Sequence, residues 1–244
     1  MHRVRRPSTP IPTLAALAAL FLLASCSAGV TLAVNPDGSG SLSVDARVPE
    51  AAAARLRSLA SGGSVSPVSA PLVDPEAVRR EAARRGLTAV SAESPGPDRF
   101  RGSFSVRSLA ALAADPEIAG SGILRIAAAD GVTSLSFGIS RKNAESLPLL
   151  FPGLDPYLLE ALSPPALDPY PVTAGEYREM LRALLGPAAL AELEAAEIRV
   201  QVRAPGPVVR HSGGSISDRT LTAAIRLMDL LVLERPIEFS LAWR

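Results

Sequence analysis

The chain has 244 residues, with 25 basic against 24 acidic side chains, a formal net charge of +1 and a sequence pI near 8.0. That balance argues against a nucleic-acid binder, which carries a basic face or a domain pI above about 9. A single cysteine and two histidines supply no disulfide framework, and neither an HExxH nor an EF-hand spacing occurs, so neither a metal nor a cofactor is expected.

Arg3, Arg5 and Arg6 form a positive N-terminal region, Leu14 to Leu23 form an apolar run, and Leu23-Ala24-Ser25-Cys26 closes it. The run is about ten residues long where a spanning helix needs roughly 20, so the order of parts fits an export signal. It resembles bacterial lipoprotein signal peptides. The resemblance implies that the Cys26 thiol receives a diacylglyceryl group and that the chain is cut between Ser25 and Cys26. Residues 1–25 are then removed and residues 26–244 form one envelope domain, held by acyl chains on the extracytoplasmic side of a membrane. Each buried methylene contributes about 0.8 kcal/mol, and two or more chains anchor stably where one does not. Ser27 stands where some lipoproteins carry an Asp that retains them at the inner membrane. Cleavage removes three arginines and no acids, leaving 22 basic against 24 acidic residues, or −2. Acylation consumes the only thiol, which excludes cysteine nucleophiles, dithiol redox chemistry and cysteine-based zinc sites. His2 leaves with the signal, so His211 is the remaining imidazole.

Val30 to Val34 and Leu42 to Val48 alternate apolar and polar residues around Asn35-Pro36-Asp37-Gly38-Ser39-Gly40, a β-hairpin pattern that begins within a few residues of Cys26. A helix is predicted through Pro49 to Ala60, then a Gly/Ser/Pro-rich loop from Ser61 to Pro71. Asp74 caps a second helix through Val78 and Ala82 to Arg85, stopped by Gly86. Its Arg79, Arg80, Arg84 and Arg85 invite a phosphate-binding reading; Glu76 and Glu81 at helical spacing favour a solvated, ion-paired face instead. Leu87 to Glu93 and Arg99 to Val106 read as a second antiparallel pair, Leu109 to Ala114 as a short helix, and Ile123 to Ala128 with Val132 to Ile139 as a third pair around Asp130-Gly131.

From Leu147 to Val172 the composition changes to prolines interleaved with Leu149, Leu150, Phe151, Leu154, Tyr157, Leu158 and Leu159. Leu-Asp-Pro-Tyr occurs twice, and each Asp-Pro is placed to cap a short helix. Thr173 to Leu185 reads as a helix with Thr173 and Glu176 in capping-box spacing and Tyr177, Met180, Leu181 and Leu184 on one face. Ala188 to Ala196 continues after Gly186-Pro187. Ile198 to Val202, Leu221 to Ile225 and Ile237 to Trp243 are the closing strands, and Leu227 to Leu233 is apolar but too short to cross a bilayer. The expected fold is α+β: a mainly antiparallel sheet built from hairpins, with helices covering one face and a Pro/Leu-rich helical segment at 147–196.

His211, Ser212 and Asp218 are the one grouping that can be drawn as a base, nucleophile and acid. They lie in a Gly-rich stretch from Arg210 to Arg219 read as a polar loop, without a nucleophile-elbow sequence or an evident oxyanion site. Neither Gly-x-Gly-x-x-Gly nor Walker spacing occurs. No catalytic residue is therefore assigned.

The hairpin after Cys26 with its Asn35 to Gly40 turn, and the closing Ala204-Pro205-Gly206-Pro207-Val208-Val209 followed by Gly213-Gly214 and a paired strand, resemble the two ends of LppM-like bacterial lipoproteins. The resemblance implies an envelope protein with an α+β domain that binds lipid or glycolipid, and it transfers no enzymatic residue. The leading expectation is a non-catalytic, lipid-anchored protein that binds an amphiphile or an envelope protein, with Phe151, Leu154, Tyr157 and Leu158 as the candidate surface if the proline-stiffened arm is exposed; core packing is the alternative for that arm. An envelope hydrolase with a site assembled only in three dimensions and a purely structural assembly module are the other readings.

Overall fold

The computed structural model describes residues 26–60, 71–154 and 156–244. The expected signal peptide with its cleavage residue Ser25, nearly all of the loop read at 61–71, the capping position Asp155, and the side chains of Cys26, Tyr157 and Leu159 lie outside what it describes.

The alternating N-terminal segments form strands β1 (Cys26–Val34) and β2 (Gly40–Arg47). Gly38, at φ +80°, and Asp37 build the turn between them: the amide and hydroxyl of Ser39 donate to Asp37 Oδ1 at 3.0 and 2.6 Å. Helix α1 (Glu50–Ala60) buries Ala52, Ala53 and Leu56, and Glu192 accepts from the Ala52 amide at 2.8 Å, satisfying one of the orphan donors of its first turn. Helix α2 (Pro75–Arg84) starts where expected, with the Asp74 side chain accepting from the Glu76 amide, and ends before Gly86. Strands β3 (Leu87–Gly96) and β4 (Arg99–Val106) follow, then α3 (Leu109–Ala113) capped by Ser108. A further short helix not foreseen from sequence, α4 (Pro116–Ser121), is capped by Asp115. Strands β5 (Leu124–Ala129) and β6 (Val132–Ile139) complete the first half.

The proline-rich region breaks into short pieces, as fixed φ angles and missing amides require. These are a 3₁₀ segment (Arg141–Leu150), helix α5 (Pro156–Leu162) and a 3₁₀ turn (Pro165–Leu167). No helix begins at Asp168-Pro169; the Asp168 carboxylate instead accepts from the Tyr170 amide in a local turn. Helices α6 (Ala174–Leu185) and α7 (Pro187–Ala195) meet at Gly186, and the Thr173–Glu176 capping box is formed. The closing elements are β7 (Glu197–Arg203), β8 (Val208–Ser212), β9 (Ser215–Ser217), β10 (Thr220–Arg226), α8 (Leu227–Val232) and β11 (Ile237–Trp243). Much of the polar stretch from Arg210 to Arg219 is thus strand rather than loop: its pairing comes from the backbone of two edge strands, whose side chains need no apolar alternation.

The strands make two sheets, one of seven in the order β3-β4-β2-β1-β7-β10-β9 and one of four in the order β5-β6-β11-β8. Among the described residues every ladder is antiparallel except that between β1 and β7. The fold is α+β, as expected, with one refinement. The third hairpin does not extend the first sheet but pairs through β6 with β11, so a second sheet shares with helices the task of covering the inner face.

The described residues form two apolar cores. One lies between the sheets and includes Phe100, Phe104 and Leu221 of the large sheet with Leu135, Phe239 and Leu241 of the small one. Phe137 and Phe239 stack across β6 and β11 with ring centroids 4.8 Å apart. The other core is helical: Leu56, Leu158, Tyr177, Leu181, Leu190 and Leu231 interlock. Each fully buried leucine contributes about 1.5–3 kcal/mol. On β2 the polar residues Ser41, Ser43, Asp45 and Arg47 are exposed while Leu42, Val44 and Ala46 turn inward, which leaves a polar outer face on the large sheet.

Candidate functional site

Cys26 opens β1, with its Cα opposite Glu197 of β7. From Ala28 onward β1 is paired on both sides, antiparallel to β2 and parallel to β7, and it is the fourth of seven strands. The expected acylation point therefore feeds directly into the middle of the large sheet, with no intervening linker among the described residues.

The expected apolar arm is built into the cores over much of its length. Leu158 is 1 % exposed within the helical core, and Leu147, Leu162 and Ala166 are also buried. Phe151 is partly buried against the inter-sheet core and Leu154 against the helical core, and the Tyr157 side chain lies outside the described residues. Hydrogen bonds clamp the segment as well as apolar contact. The Arg141 guanidinium donates to the carbonyls of Pro165 and Val232 at 3.3 and 3.0 Å, and the Asn143 amide donates to those of Ser121 and Gly138 at 3.0 and 3.1 Å. The Gly153 carbonyl accepts from the Asp74 amide at 2.9 Å beside the Val73–Leu154 bridge. Leu158 thus belongs to the interior, because its helix closes the helical core. The exposed apolar side chains of the region lie further on, at Leu167, Tyr170 (88 % exposed) and Val172.

His211, Ser212 and Asp218 do not form a relay. His211 is exposed on β8 opposite Leu241, the Ser212 hydroxyl meets the Ser240 hydroxyl at 2.8 Å, and Asp218 sits at φ +53° in the turn between β9 and β10. No hydrogen bond joins the three. The α2 arginines behave as the helical spacing suggested: Arg79 pairs with Glu76, and Arg84 and Arg85 with Glu81. Glu117 of α4 adds a partner from outside the helix, 2.7 Å from Arg84 and 3.3 Å from Arg85. That partner escaped sequence reasoning because α4 itself did.

The electrostatics point the same way. The hydrogen bond from Arg84, with a second from Arg85, holds the Glu81 carboxyl down at about 2. Arg84 likewise lowers Glu117, Arg99 lowers Asp45, Ser39 lowers Asp37, and Thr173 lowers Glu176. Burial raises the Tyr177 phenol, which donates to the Leu162 carbonyl at 3.0 Å. Each of these five carboxyls is displaced toward the ionised form by a structural partner, which suits capping and ion pairing rather than proton donation. Among the described residues no group of three or more His, Cys, Asp or Glu could hold a metal.

Among the described residues, clefts open to solvent include the following two. One of about 290 Å³ is lined by Arg85, Arg107, Ser108 and Asp115, and one of about 400 Å³ by Arg178, Asp229, Glu234 and Arg235. Both are at the small end for ligand sites, and each mixes charged side chains with apolar ones, Leu87, Val106 and Leu112 in the first and Met228, Val232 and Ile237 in the second. Among the described residues no helix is long and apolar enough to cross a membrane.

No protein-family model matches the chain, and no curated protein matches it. Among solved structures it is similar to the NMR structure of the folded domain of the Mycobacterium tuberculosis protein LppM, at 14 % identity over 90 % of each chain with a TM-score of 0.38.

Proposed function

We propose that this chain is a bacterial envelope lipoprotein, acylated at Cys26, whose α+β domain works by binding an amphiphile or a protein partner at the bilayer surface rather than by catalysis. The observation that supports the reading is that the lipobox cysteine stands two residues before Ala28, from which β1 is paired on both sides within the large sheet. A cysteine so close to the central strand of a sheet is what a domain held close to its membrane needs. Glu81 and Asp45, whose carboxyls are lowered by arginine partners, are engaged in pairing within the fold, so neither is a candidate proton donor.

The test is expression of the full chain in a bacterial host fed an alkyne analogue of palmitate. Labelled protein in the membrane fraction is expected, with loss of both label and membrane retention in Cys26→Ala. Unlabelled wild-type protein overturns the proposal. Lipids and proteins recovered with the membrane-extracted wild-type protein then identify what it binds.

A further inference from the structure

Strand register assembles on the outer face of the large sheet a feature that no contiguous stretch of sequence displays. Across the middle of that face, Ser103, Ser43, Thr31, Gln201 and Thr222 form one row over five strands. At the end where Cys26 begins β1, the rows are charged instead. Arg99 lies opposite Arg47 on β4 and β2, while Glu197 on β7 lies opposite both Cys26 and Arg226 of β10. One step inward, Arg101 faces Asp45, Asp45 faces Gly29, and Gly29 faces Arg199. Adjacent strands are about 4.8 Å apart, so the rim from Arg99 to Arg226 spans roughly 19 Å, with Cys26 near its midpoint.

The pairing within the rim is incomplete. Arg99 and Arg101 share Asp45, at 2.7 and 3.3 Å, and Arg199 reaches Glu197 at 3.2 Å. Arg47 and Arg226 are exposed and pair with no carboxylate among the described residues. Within the strand register, and counting Glu93, which faces Arg101 from β3, five arginines meet three carboxylates; the cleft that Arg226 borders adds Asp229 and Glu234 together with Arg178 and Arg235, so basic groups still outnumber acidic ones here, in a chain whose balance after cleavage is 22 basic against 24 acidic. The cationic excess is thus concentrated at the anchored end of the sheet. The face beside it is lined by hydroxyls and an amide, which suits contact at headgroup level rather than insertion.

We propose that Arg47 and Arg226, supported by Arg99, Arg101 and Arg199, form a guanidinium rim that docks the Cys26 end of the large sheet on the anionic phospholipid headgroups of the membrane holding the acyl chains. This inference rests on the acylation proposed above. Guanidinium groups present forked donors to phosphate oxygens, and their attraction to an anionic surface acts within about 8 Å at physiological salt. The tether makes the encounter intramolecular, so contacts that are weak one by one are populated together. The rim fixes which way the domain faces; the acyl chains hold it there.

Because acylation consumes Cys26, one introduced cysteine can be labelled alone. The full chain, purified in its lipidated form, is reconstituted into vesicles of phosphatidylcholine, or of phosphatidylcholine with one third phosphatidylglycerol. A fluorophore is placed at Ala224→Cys beside the rim or at Ser105→Cys at the far end of the strands, both exposed, and quenching by a spin-labelled headgroup is measured. Quenching at 224 should rise at least twofold when phosphatidylglycerol is present, and the rise should vanish at high salt and in the Arg47→Ala/Arg226→Ala double variant, while quenching at 105 stays constant. An acylated chain whose quenching at 224 ignores both phosphatidylglycerol and the two arginines overturns this inference alone. A chain that carries no acyl group, detected by mass and by labelling at Cys26 itself, overturns the proposed function and this inference together.

Discussion

The Tyr177 phenol donates a buried hydrogen bond to the Leu162 carbonyl at 3.0 Å, tying helix α6 to the end of α5 at a residue with 0 % exposure. Tyr177→Phe keeps the ring and leaves that carbonyl without its partner. A loss of about 1–3 kcal/mol is expected, read as a fall in Tm or in the urea midpoint; an unchanged midpoint would show that water takes over the bond.

Thr173→Ala removes the hydroxyl that accepts from the Glu176 amide at 3.3 Å and donates to the Glu176 carboxylate at 2.8 Å, leaving only the bond from the Thr173 amide to that carboxylate. About 1 kcal/mol of stability is expected to go. Amide exchange should quicken first in the opening turn of α6, and exchange that quickens evenly across the domain would contradict a local cap.

That cap was legible in the sequence; the face of the helix behind it was not. Tyr177 and Leu181 are buried as the spacing suggested, but Leu185 completes the stripe and Met180 and Leu184 are exposed. With leucine or methionine at four of the last six positions of the helix, a narrow shift of the stripe leaves the apolar pattern nearly unchanged, so packing decides. The hairpins, the Asp74 cap and the Gly86 stop were readable because turn chemistry is local. The split into two sheets was not, because only the ladder between β6 and β11 decides it. Among the candidate site residues, the reading of Cys26 rests on its sequence neighbours alone, whereas Leu158 looks the same exposed or buried until α5 has somewhere to pack. The arginine rim comes from four strands, and no single one announces it.

Gly153, at φ +77°, lies where the proline-rich segment docks on α2, and a Cβ there would meet Val78 Cγ2 at 2.7 Å and the Asp74 carbonyl at 2.8 Å. Gly153→Ala should therefore separate the 3₁₀ segment from the α2 N-terminus and destabilise by more than about 2 kcal/mol. Gly131→Ala shares the positive φ but meets nothing within 4 Å, so it should suffer only the backbone penalty of about 1 kcal/mol. Equal losses in the two variants would rule out the steric account.

Glu81 supplies a pH dependence with a defined sign. Its carboxyl is lowered from 4.5 to about 2 by the hydrogen bond from Arg84 and then Arg85. A depressed carboxylate stabilises the fold fully above its unfolded pKa and loses that contribution as pH falls through the folded value. Stability should decline between about pH 4.5 and 2, with on the order of 1 kcal/mol belonging to Glu81 after solvent screening. Glu81→Gln should flatten the curve in that window and leave its shape above pH 5 unchanged; a wild-type curve already flat from pH 5 to 2 would contradict the pairing.

His211→Ala tests the hydrolase reading from the side of stability and function together. The imidazole is exposed and makes no hydrogen bond to the described residues, so the change should move the unfolding midpoint by less than about 0.5 kcal/mol and leave binding of the membrane-extracted ligand intact. A loss of function at native stability would restore the residue as a candidate.

Strand β1 has a mechanical consequence. A pull applied at Cys26 along the strand enters a segment held by seven registered pairs to β2 and seven to β7. Both ladders would take such a load together in shear, with the hydrogen bonds strained in parallel, where an edge strand would peel away one bond at a time. With Cys26 acylated as proposed, motion of the membrane would be transmitted through both ladders to the whole sheet, and the domain would tilt before it frayed.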